Sequence, residues 1–452
     1  MRSRDPYDLL QLRADLWRVP LALCIVTEVL FLATVFVDRA AARGTLGLPS
    51  WLSVGGADDA RAILGAMLGA VSTVLALIFS VALLVLSMAT TQFGPRILYR
   101  FVRDGVTQVT IGLFLASFVH TLLTFVVTRQ DANRQFVPQL TLICSVILVM
   151  MSFACLILFS HRIAMSIQTQ NVVARIVGEL DASIAGWMTG AHEHPVLRRT
   201  PAAEAERESL VARCAAEGGV VRAPRTGFVQ AIDVVHLLSV ADQSGAVVSL
   251  LYRPGQFVME GAALAQVLPE ARTADLTPAL LHDVWIGTHR TLEQDFEFGM
   301  AQLVEIALRA LSPAINDTFT GLTCIDWLGD ALRGFASHGE YAAVCLGASG
   351  TTRLVWPPLR FARLVKAAFD QIRQAAMGNP AVTIRLLQTF THLAEQIEDA
   401  RLREPLSQQV EALWEAEATA ALVKSDRADV EKAYRRACEA LIGQRLLSAP
   451  SN

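Results

Sequence analysis

The chain has 452 residues, of which 53% are hydrophobic and 18% charged, and its formal net charge at pH 7 is −3. A mean hydropathy of +0.41 is high for a soluble protein and low for a chain wholly embedded in lipid, so we expect a membrane part and a large water-soluble part. The weak net charge gives no indication of a nucleic-acid partner, and seven singly scattered cysteines indicate neither a disulfide framework nor a zinc site.

Four apolar segments are long enough to cross a bilayer as helices. One of them, residues 62–88, runs twenty-seven residues without a charge. At a rise of about 1.5 Å per residue, a helix of this length outspans a hydrocarbon core of about 30 Å, and we expect the chain to be organised around it. The predicted spans are residues 19–37, 62–88, 106–128 and 138–160. They predict an α-helical integral membrane protein with four transmembrane helices.

Arginine is distributed unevenly between the two sides of these spans. Four arginines precede the first span, and three crowd the short loop between the second and third spans. These residues are Arg2, Arg4, Arg13, Arg18, Arg96, Arg100 and Arg103. Because cytosolic loops are enriched in arginine and lysine, the pattern predicts that both termini and the C-terminal half lie in the cytosol.

Hydroxyl-bearing residues recur at helical spacing along the second and third spans. They are Ser80, Ser87 and Thr91 in the second span and Ser117, Thr121 and Thr124 in the third. One interpretation is helix packing, because small and hydroxylated residues let membrane helices approach and share hydrogen bonds. The other is a water-filled path lined by hydroxyls, with Gln92 and Arg96 of a QFGPR segment meeting symmetry mates at its inner mouth.

Two ionisable residues fall inside the spans, Glu28 in the first and His120 in the third. Ionisable groups are costly in lipid and normally face protein or a cavity, paired where a partner exists. In the predicted topology both helices run from inside to outside, and the two residues lie at similar depths. We therefore predict a hydrogen-bonded Glu28–His120 pair, which is either a buried bridge between helices or a site that handles protons or ions.

After a helical extension and linker over residues 161–215, the sequence changes character. Residues 216–270 contain short β-type runs separated by glycine and proline turns, in VVRAPRTGFVQAID and VVSLLYRPGQFVMEGAALAQVL. The turn glycines resemble those of the barrel-sandwich fold of biotinyl and lipoyl domains. Those carriers attach their cofactor to a lysine, and this stretch has none. We therefore expect no cofactor, and a small barrel-sandwich-like module used for packing or assembly.

Residues 271–446 are predicted to form a cytosolic helical domain. One helix is expected to end at Ser312, because a residue before proline disfavours α geometry, and the next to begin near Thr318. The polar and charged residues around this SPAIND turn are Arg290, Asp295, Glu305, Arg309, Ser312, Asn316 and Asp317. They form either an internal salt-bridge network or a polar ligand site at which free helix amides favour an anion.

Three segments lie in a fixed order along the chain: FSVALLVLSMATTQFGPRIL, the β module with APRTGFV and RPGQFV, and QDFEFGMAQLVEIALRALSPAINDTFTG. Together they resemble a family of bacterial inner-membrane proteins with four predicted membrane helices, catalogued as a domain of unknown function. The resemblance covers most of the chain, and QFGPR and SPAIND are its most specific parts. It implies a bacterial plasma-membrane location and the same domain order, and it transfers no activity.

The sequence contains no nucleophile elbow, phosphate loop or HExxH motif, and we expect the protein not to be an enzyme. His192 and His194 lie on different faces of a helix and predict no metal site. One expected function is a homo-oligomeric ion channel or channel-like transporter in the lipid bilayer, with a cytosolic domain that assembles or gates it. The alternative is a membrane-anchored sensor or scaffold whose cytosolic domain binds a partner or a small ligand.

Overall fold

A computed structural model describes residues 17–43, 56–93, 105–131, 134–166, 173–180, 182, 196–418 and 422–447. The chain divides into two compact units, residues 1–171 and residues 172–452. The first unit contains the membrane helices and a two-stranded hairpin, and the second contains the two larger sheets and the remaining helices.

Among the described residues of the first unit, four apolar helices are each long and apolar enough to cross a membrane. They are α1 (Arg18–Ala42), α2 (Ala57–Phe93), α3 (Gly105–Val127) and α4 (Gln139–Ser166), and a short hairpin of β1 (Arg129–Asp131) and β2 (Arg134–Phe136) joins α3 to α4. The prediction of four membrane-spanning helices is confirmed, and the observed helices extend several residues beyond three of the predicted spans.

Contacts between these helices fix their relative directions. Pro20 lies against Gly112, and the ring of Phe31 meets that of His120 at a centroid separation of 5.6 Å, so α1 and α3 run in the same direction. Polar contacts join the start of α3 to the end of α4 and the end of α3 to the start of α4, so these two helices are antiparallel. The guanidinium of Arg61, at the start of α2, donates to the carbonyl of Thr128, just after α3. The bundle therefore alternates in direction from each helix to the next.

The third helix, rather than the second, is the central element of this unit. Within the membrane-spanning window of α3, 56% of the residues are buried, against 11% for α2. The sequence pointed to residues 62–88 as the organising element, and the structure gives that place to α3. An uninterrupted apolar run indicates only that a segment is compatible with lipid. A helix enclosed by other helices also carries polar groups that bond to its neighbours, as α3 does.

The second unit contains a six-stranded sheet and a three-stranded sheet. The order of the larger sheet is β3-β10-β11-β6-β8-β4, and that of the smaller is β7-β5-β9. The strands are β3 (Val196–Arg198), β4 (Gly219–Arg222), β5 (Gly227–Ile232), β6 (Val247–Leu250), β7 (Phe257–Val258), β8 (Ala263–Leu268), β9 (Val284–Gly287), β10 (Tyr341–Leu346) and β11 (Thr352–Val355). Strands β11 and β6 pair in parallel, and the other pairs are antiparallel.

The barrel-sandwich detail that the sequence suggested is not confirmed. Among the described strands the larger sheet is open, with β3 and β4 at its edges, and two of its strands come from beyond residue 340. Three helices accompany the sheets: α5 (Pro201–Glu217), α6 (Val234–Ser244) and α7 (Thr273–Asp283). Apolar side chains from both sheets, α6 and α7 share one core, and Leu237 and Leu276 within it are fully buried.

The remaining helices form an amphipathic bundle with an aromatic core. They are α8 (Phe296–Ala310), α9 (Thr318–His338), α10 (Phe361–Ala375), α11 (Pro380–Gln396), α12 (Ala400–Ala418) and α13 (Lys424–Leu447). Phe335 stacks on Phe361 at 6.4 Å, and Phe369 meets Phe390 edge-on at 4.9 Å. Helix α9 begins at Thr318, as the sequence predicts.

Candidate functional site

A set of buried polar side chains runs through the interior of the membrane unit, between α1, α3 and α4. We call it the polar seam, and its members are Thr34, Asp38, Ser117, His120, Thr121, Thr124, Thr141, Ser145 and Ser152. Polar groups in a membrane interior are retained where they bond to one another or serve a function.

Asp38 holds the start of helix α4. Its carboxylate accepts hydrogen bonds at 3.0 Å from the amides of Leu140 and Thr141, and at 2.7 Å from the hydroxyl of Thr141. That hydroxyl also lies 3.1 Å from the hydroxyl of Thr34 on α1. The first amides of a helix have no partner within it and carry partial positive charge, so a carboxylate from a neighbouring helix satisfies them. The predicted first span, residues 19–37, ends one residue before Asp38, although an acidic residue at the end of a span is a detectable signal.

The hydroxyls of α3 bond across to α4. The hydroxyls of Ser117 and Ser152 are 2.6 Å apart, and those of Thr124 and Ser145 are 3.2 Å apart. All four residues are fully buried. This half of the predicted hydroxyl stripe therefore makes contacts between helices.

His120 lies fully buried inside the bundle. The residue is 0% exposed, and its ring lies close to the backbones of Thr27 and Thr141. The hydroxyl of Thr121, the next residue, is also buried and has no hydrogen-bond partner among the described residues.

The structure does not join Glu28 to His120. Both carboxylate oxygens of Glu28 are buried and, within the part of the chain that the structure describes, have no hydrogen-bond partner. Thr27 and Phe31 lie on the buried side of α1 with the ring of His120. Glu28 follows Thr27 by one residue and is therefore rotated by about 100° from it around the helix axis. The two ionisable side chains remain candidates for ion or proton handling as separate groups.

Helix α2 presents small residues on the side opposite its contacts with the bundle. We call this the outward face, and its members are Ala62, Ala66, Gly69, Thr73, Ala76, Ser80 and Ser87, all of which are exposed. Their spacing alternates between four and three residues from Ala62 to Ser80, and Leu84, a large exposed residue, lies on the same side between Ser80 and Ser87. Leu64, Val71 and Ile78 on the opposite side are buried. The hydroxyls of Thr73 and Ser80 each donate at 2.9 Å to a carbonyl of their own helix.

Thr91 of the predicted hydroxyl stripe, and Gln92 and Arg96 of the predicted inner mouth, are only partly within the structural description. Thr91 and Gln92 continue the backbone of α2, and their side chains lie outside the described residues. Arg96 lies wholly outside them.

The charged residues predicted around the SPAIND turn divide into separate groups. Arg290 forms a two-pronged ion pair with Asp295 at 2.7 and 2.8 Å, just before α8. Glu305 pairs with Arg309 at 3.3 Å within the second half of α8. Since α8 has 15 residues and a length of about 22 Å, its two ends do not form one network.

The SPAIND turn itself is held by local bonds. Ser312 donates its hydroxyl to the carbonyl of Arg309 at 2.7 Å. Asn316 has a φ of 52°, in the left-handed region, and Asp317 accepts a bond at 3.1 Å from the amide of Thr320 as the cap of α9. These contacts account for the turn as a helix connection.

A small charged pocket lies beside the start of α8. It has a volume of about 70 Å³, and Arg253, Asp295, Glu297, Gln294 and Trp356 are among the residues that line it. Arg253 pairs with Glu297 at 2.9 Å, and Arg363 also contacts Glu297. Sequence reasoning included Asp295 and missed Arg253 and Glu297, which lie in different elements.

Burial shifts the pKa values of two charged residues that line this pocket. It raises the pKa of Asp295 above its usual range, although Arg290 and the amide of Phe298 act in the opposite direction. Burial also lowers the pKa of the Arg253 guanidinium, and the charge of Glu297 opposes that change. The pocket therefore holds desolvated charges of both signs.

Among the described residues, one group has the composition and spacing of a metal-ligand set: His236, His282 and Asp283 in the second unit.

A family model described as "Predicted membrane protein (DUF2254)" matches residues 13–392. The chain belongs to the DUF2254 family. The match begins before α1, covers all four membrane helices and both sheets, and ends within α11.

Bacterial relatives of this DUF2254 chain include uncharacterized proteins of Mycobacterium bovis and Mycobacterium tuberculosis. Each is 29% identical over 403 residues, which cover 87% of this chain and 74% of the relative. No solved structure matches the chain. The family and its relatives identify a membrane protein and carry no activity over to it.

Proposed function

We propose that the protein is a homo-oligomeric ion channel or channel-like transporter of the bacterial plasma membrane, in which α2 of each copy faces the central axis. The observation that carries the proposal is the outward face of α2. A helix side that meets only lipid is expected to carry large apolar residues, whereas small residues let a second helix approach closely. Alternating intervals of three and four residues suit left-handed helix packing around an axis.

The contacts of the polar seam favour an ion path between copies of the chain rather than through the interior of a single bundle. Its hydroxyls bond to one another between α3 and α4, and Asp38 is engaged by the start of α4. Groups that hold helices together in this way do not line an open conduit. The hydroxyls of Thr73 and Ser80 lie on the exposed side of α2, where copies of the chain meet in this proposal.

The orientation follows from the arginine distribution. Both termini and the second unit lie in the cytosol, where the second unit assembles or gates the oligomer and catalyses no reaction. The proposed orientation is tested by protease protection of inside-out and right-side-out vesicles, in which cleavage at the SPAIND region is measured.

Flux through liposomes that contain the full chain tests the path. We expect passive movement of a small ion when sodium, potassium, chloride and protons are supplied in turn, with voltage and membrane tension varied. Ser80→Ala and Thr73→Val remove hydroxyls that bond within α2, so they are expected to change the flux several-fold without preventing insertion. Ser72→Ala removes a similar exposed hydroxyl to one side of the outward face and is the matched control. Absence of flux under all these conditions contradicts the channel proposal.

The second candidate is a membrane-anchored sensor or scaffold that binds a small polar ligand through the second unit. The charged pocket beside α8 favours it, because buried charges of both signs suit a ligand that carries complementary groups. Ligand-dependent thermal stabilisation of the full chain, in a protein that conducts no ions, is the result expected for this candidate.

A further inference from the structure

Three metal-ligating side chains meet at the end of helix α7. Asp283 is the last residue of this helix and its side chain is fully buried, while those of His236 and His282 are 54% and 59% exposed. One carboxylate oxygen lies 2.7 Å from Nδ1 of His236, and the other lies 2.8 Å from Nδ1 of His282. One ligand atom from each residue can be chosen so that all three lie within 4.8 Å of one another.

Sheet pairing brings these residues together from distant parts of the sequence. Ile232 in β5 pairs with Val284 in β9, so the residues next to these strand ends are neighbours. The amide of Asp233 donates to the carbonyl of Asp283 at 2.9 Å. The side chain of Asp233 caps α6 by accepting a bond from the amide of His236, which fixes this histidine in the first turn.

The position of Asp283 is unfavourable for an uncompensated negative charge. Burial removes the carboxylate from water, and the C-terminal end of α7 carries partial negative charge. Within the described part of the chain, its hydrogen bonds are to the two imidazoles, which supply no charge when they are neutral. A divalent cation provides the missing positive charge.

We propose that His236, His282 and Asp283 bind one divalent first-row transition-metal ion, for which Zn²⁺ is the test ion. Imidazole nitrogen and carboxylate oxygen bind Zn²⁺ at about 2.0–2.2 Å. Neighbouring ligand atoms of a tetrahedral site lie about 3.3 Å apart, roughly half an ångström more than the nitrogen–oxygen contacts here, so the imidazoles move outward when the ion enters. Their exposed rings have room to do so, and a fourth position is open to water.

The same contacts also suit a metal-free His–Asp–His hydrogen-bonded link between α6 and α7. The two arrangements differ in whether purified protein takes up Zn²⁺ with a defined stoichiometry. They also differ in whether that uptake depends on both histidines.

The experiment uses the full chain in lipid nanodiscs, with any purification tag removed. Zn²⁺ binding is measured by equilibrium dialysis and calorimetry, and Co²⁺ serves as a visible-absorption probe of the ligand geometry. His236→Gln and His282→Gln each remove one ligand at an exposed position. His392→Gln, on the exposed side of α11, is the matched control. Thermal unfolding without metal establishes that each variant is folded.

We expect one Zn²⁺ per chain, Co²⁺ absorption that Zn²⁺ abolishes by displacement, and affinity at least about tenfold weaker in either histidine variant. His392→Gln is expected to bind as the wild type does. Folded wild-type protein that binds no Zn²⁺, or equal affinity in the wild type and both ligand variants, overturns the proposal and leaves the hydrogen-bonded link.

Discussion

At the scale of single residues, Asp38 shows how one carboxylate connects membrane helices. It lies at the end of α1 and binds the first amides of α4, while Thr141 links it to Thr34. A side chain from one helix thus completes the hydrogen bonding of another, where neither lipid nor the helix itself supplies an acceptor.

Asp38→Ala is expected to destabilise the membrane unit. The change leaves two helix amides without their acceptor and removes one of two bonds of the Thr141 hydroxyl, and we expect a loss of about 2 kcal/mol in the free energy of unfolding. Denaturant titration in detergent micelles measures it. Asp58→Ala, which alters an exposed carboxylate at the start of α2, is the control and is expected to cost less than about 1 kcal/mol. Equal losses in the two variants contradict the role given to Asp38.

Glu204 gives the second unit a pH-dependent contribution to stability. Burial alone would raise the pKa of Glu204, but hydrogen bonds and charges from Arg199 and Arg360 outweigh it and lower that pKa. A folded-state pKa below the unfolded value of about 4.3 means that the contribution is complete above that pH and is lost as pH falls through the folded pKa.

The matching experiment compares the wild type with Glu204→Gln. The difference in their free energies of unfolding is expected to stay constant near neutral pH and to shrink below about pH 4.3. Unfolding curves recorded at a series of pH values measure this difference. A difference that widens on acidification is inconsistent with the lowered pKa.

The positions of Glu28 and His120 show that residue numbers along a membrane helix predict depth but not contact between side chains. Depth follows from position along the sequence, and it places the two residues at similar levels. A hydrogen bond also requires each helix to be rotated so that the two side chains face each other. An apolar span contains few polar residues from which that rotation can be predicted. The ring of His120 meets Phe31 instead, one turn from the predicted partner.

At the scale of helices and strands, close approach governs how α1 meets α3. A Cβ added at Gly112 would lie 2.8 Å from Cα of Pro20 and 2.9 Å from a methyl group of Leu23. Glycine is therefore required for the spacing of these two helices.

Gly112→Ala is expected to reduce the free energy of unfolding of the membrane unit by about 1–3 kcal/mol, because the added methyl group separates the helices. Gly105→Ala, in the same helix, meets no atom within 4 Å and is expected to leave stability unchanged or slightly higher. Detergent unfolding midpoints of both variants provide the comparison. Equal stability of the two variants contradicts the claim that glycine is required at position 112.

The outward face of α2 yields a paired prediction about oligomers. Ala76→Leu places a bulky side chain on that face, and Ala70→Leu makes the same change at an exposed position to one side of it. We expect the first to lower the mass of the assembly in nanodiscs, measured by native mass spectrometry, and the second to preserve it. An unchanged mass for Ala76→Leu removes α2 from the interface.

The four membrane helices were predictable because apolar length is a property of each segment alone. The central position of α3 was not predictable from the sequence, because it depends on which helix surfaces pack against one another. The β module shows the same division. Its glycine and proline turns marked strands over residues 216–270, whereas the strands β3, β10 and β11 join the larger sheet from outside that range. Pairing between distant short strands leaves no local pattern in the sequence.

At the scale of the whole molecule, the second unit is expected to fold without the membrane helices. It has its own apolar core, and Leu180, from a helical segment over residues 173–180, is fully buried and lies close to Gly299. A fragment of residues 173–447 is expected to be soluble and to unfold cooperatively.

Removing residues 173–198 from that fragment deletes the segment around Leu180 and strand β3, which pairs with β10. The shorter fragment is expected to unfold at a lower temperature, as followed by circular dichroism. Aggregation of the longer fragment, or equal unfolding midpoints, contradicts this account of the second unit.

The attachment of α2 along one side has a mechanical consequence. With 37 residues, α2 is about 55 Å long, and its apolar part exceeds a hydrocarbon layer of about 30 Å. A helix in hydrophobic mismatch tilts more in a thin bilayer and less in a thick one. Because Asp38 and the paired hydroxyls link the other three helices to one another, a change in bilayer thickness is expected to change the tilt of α2 more than that of the other three.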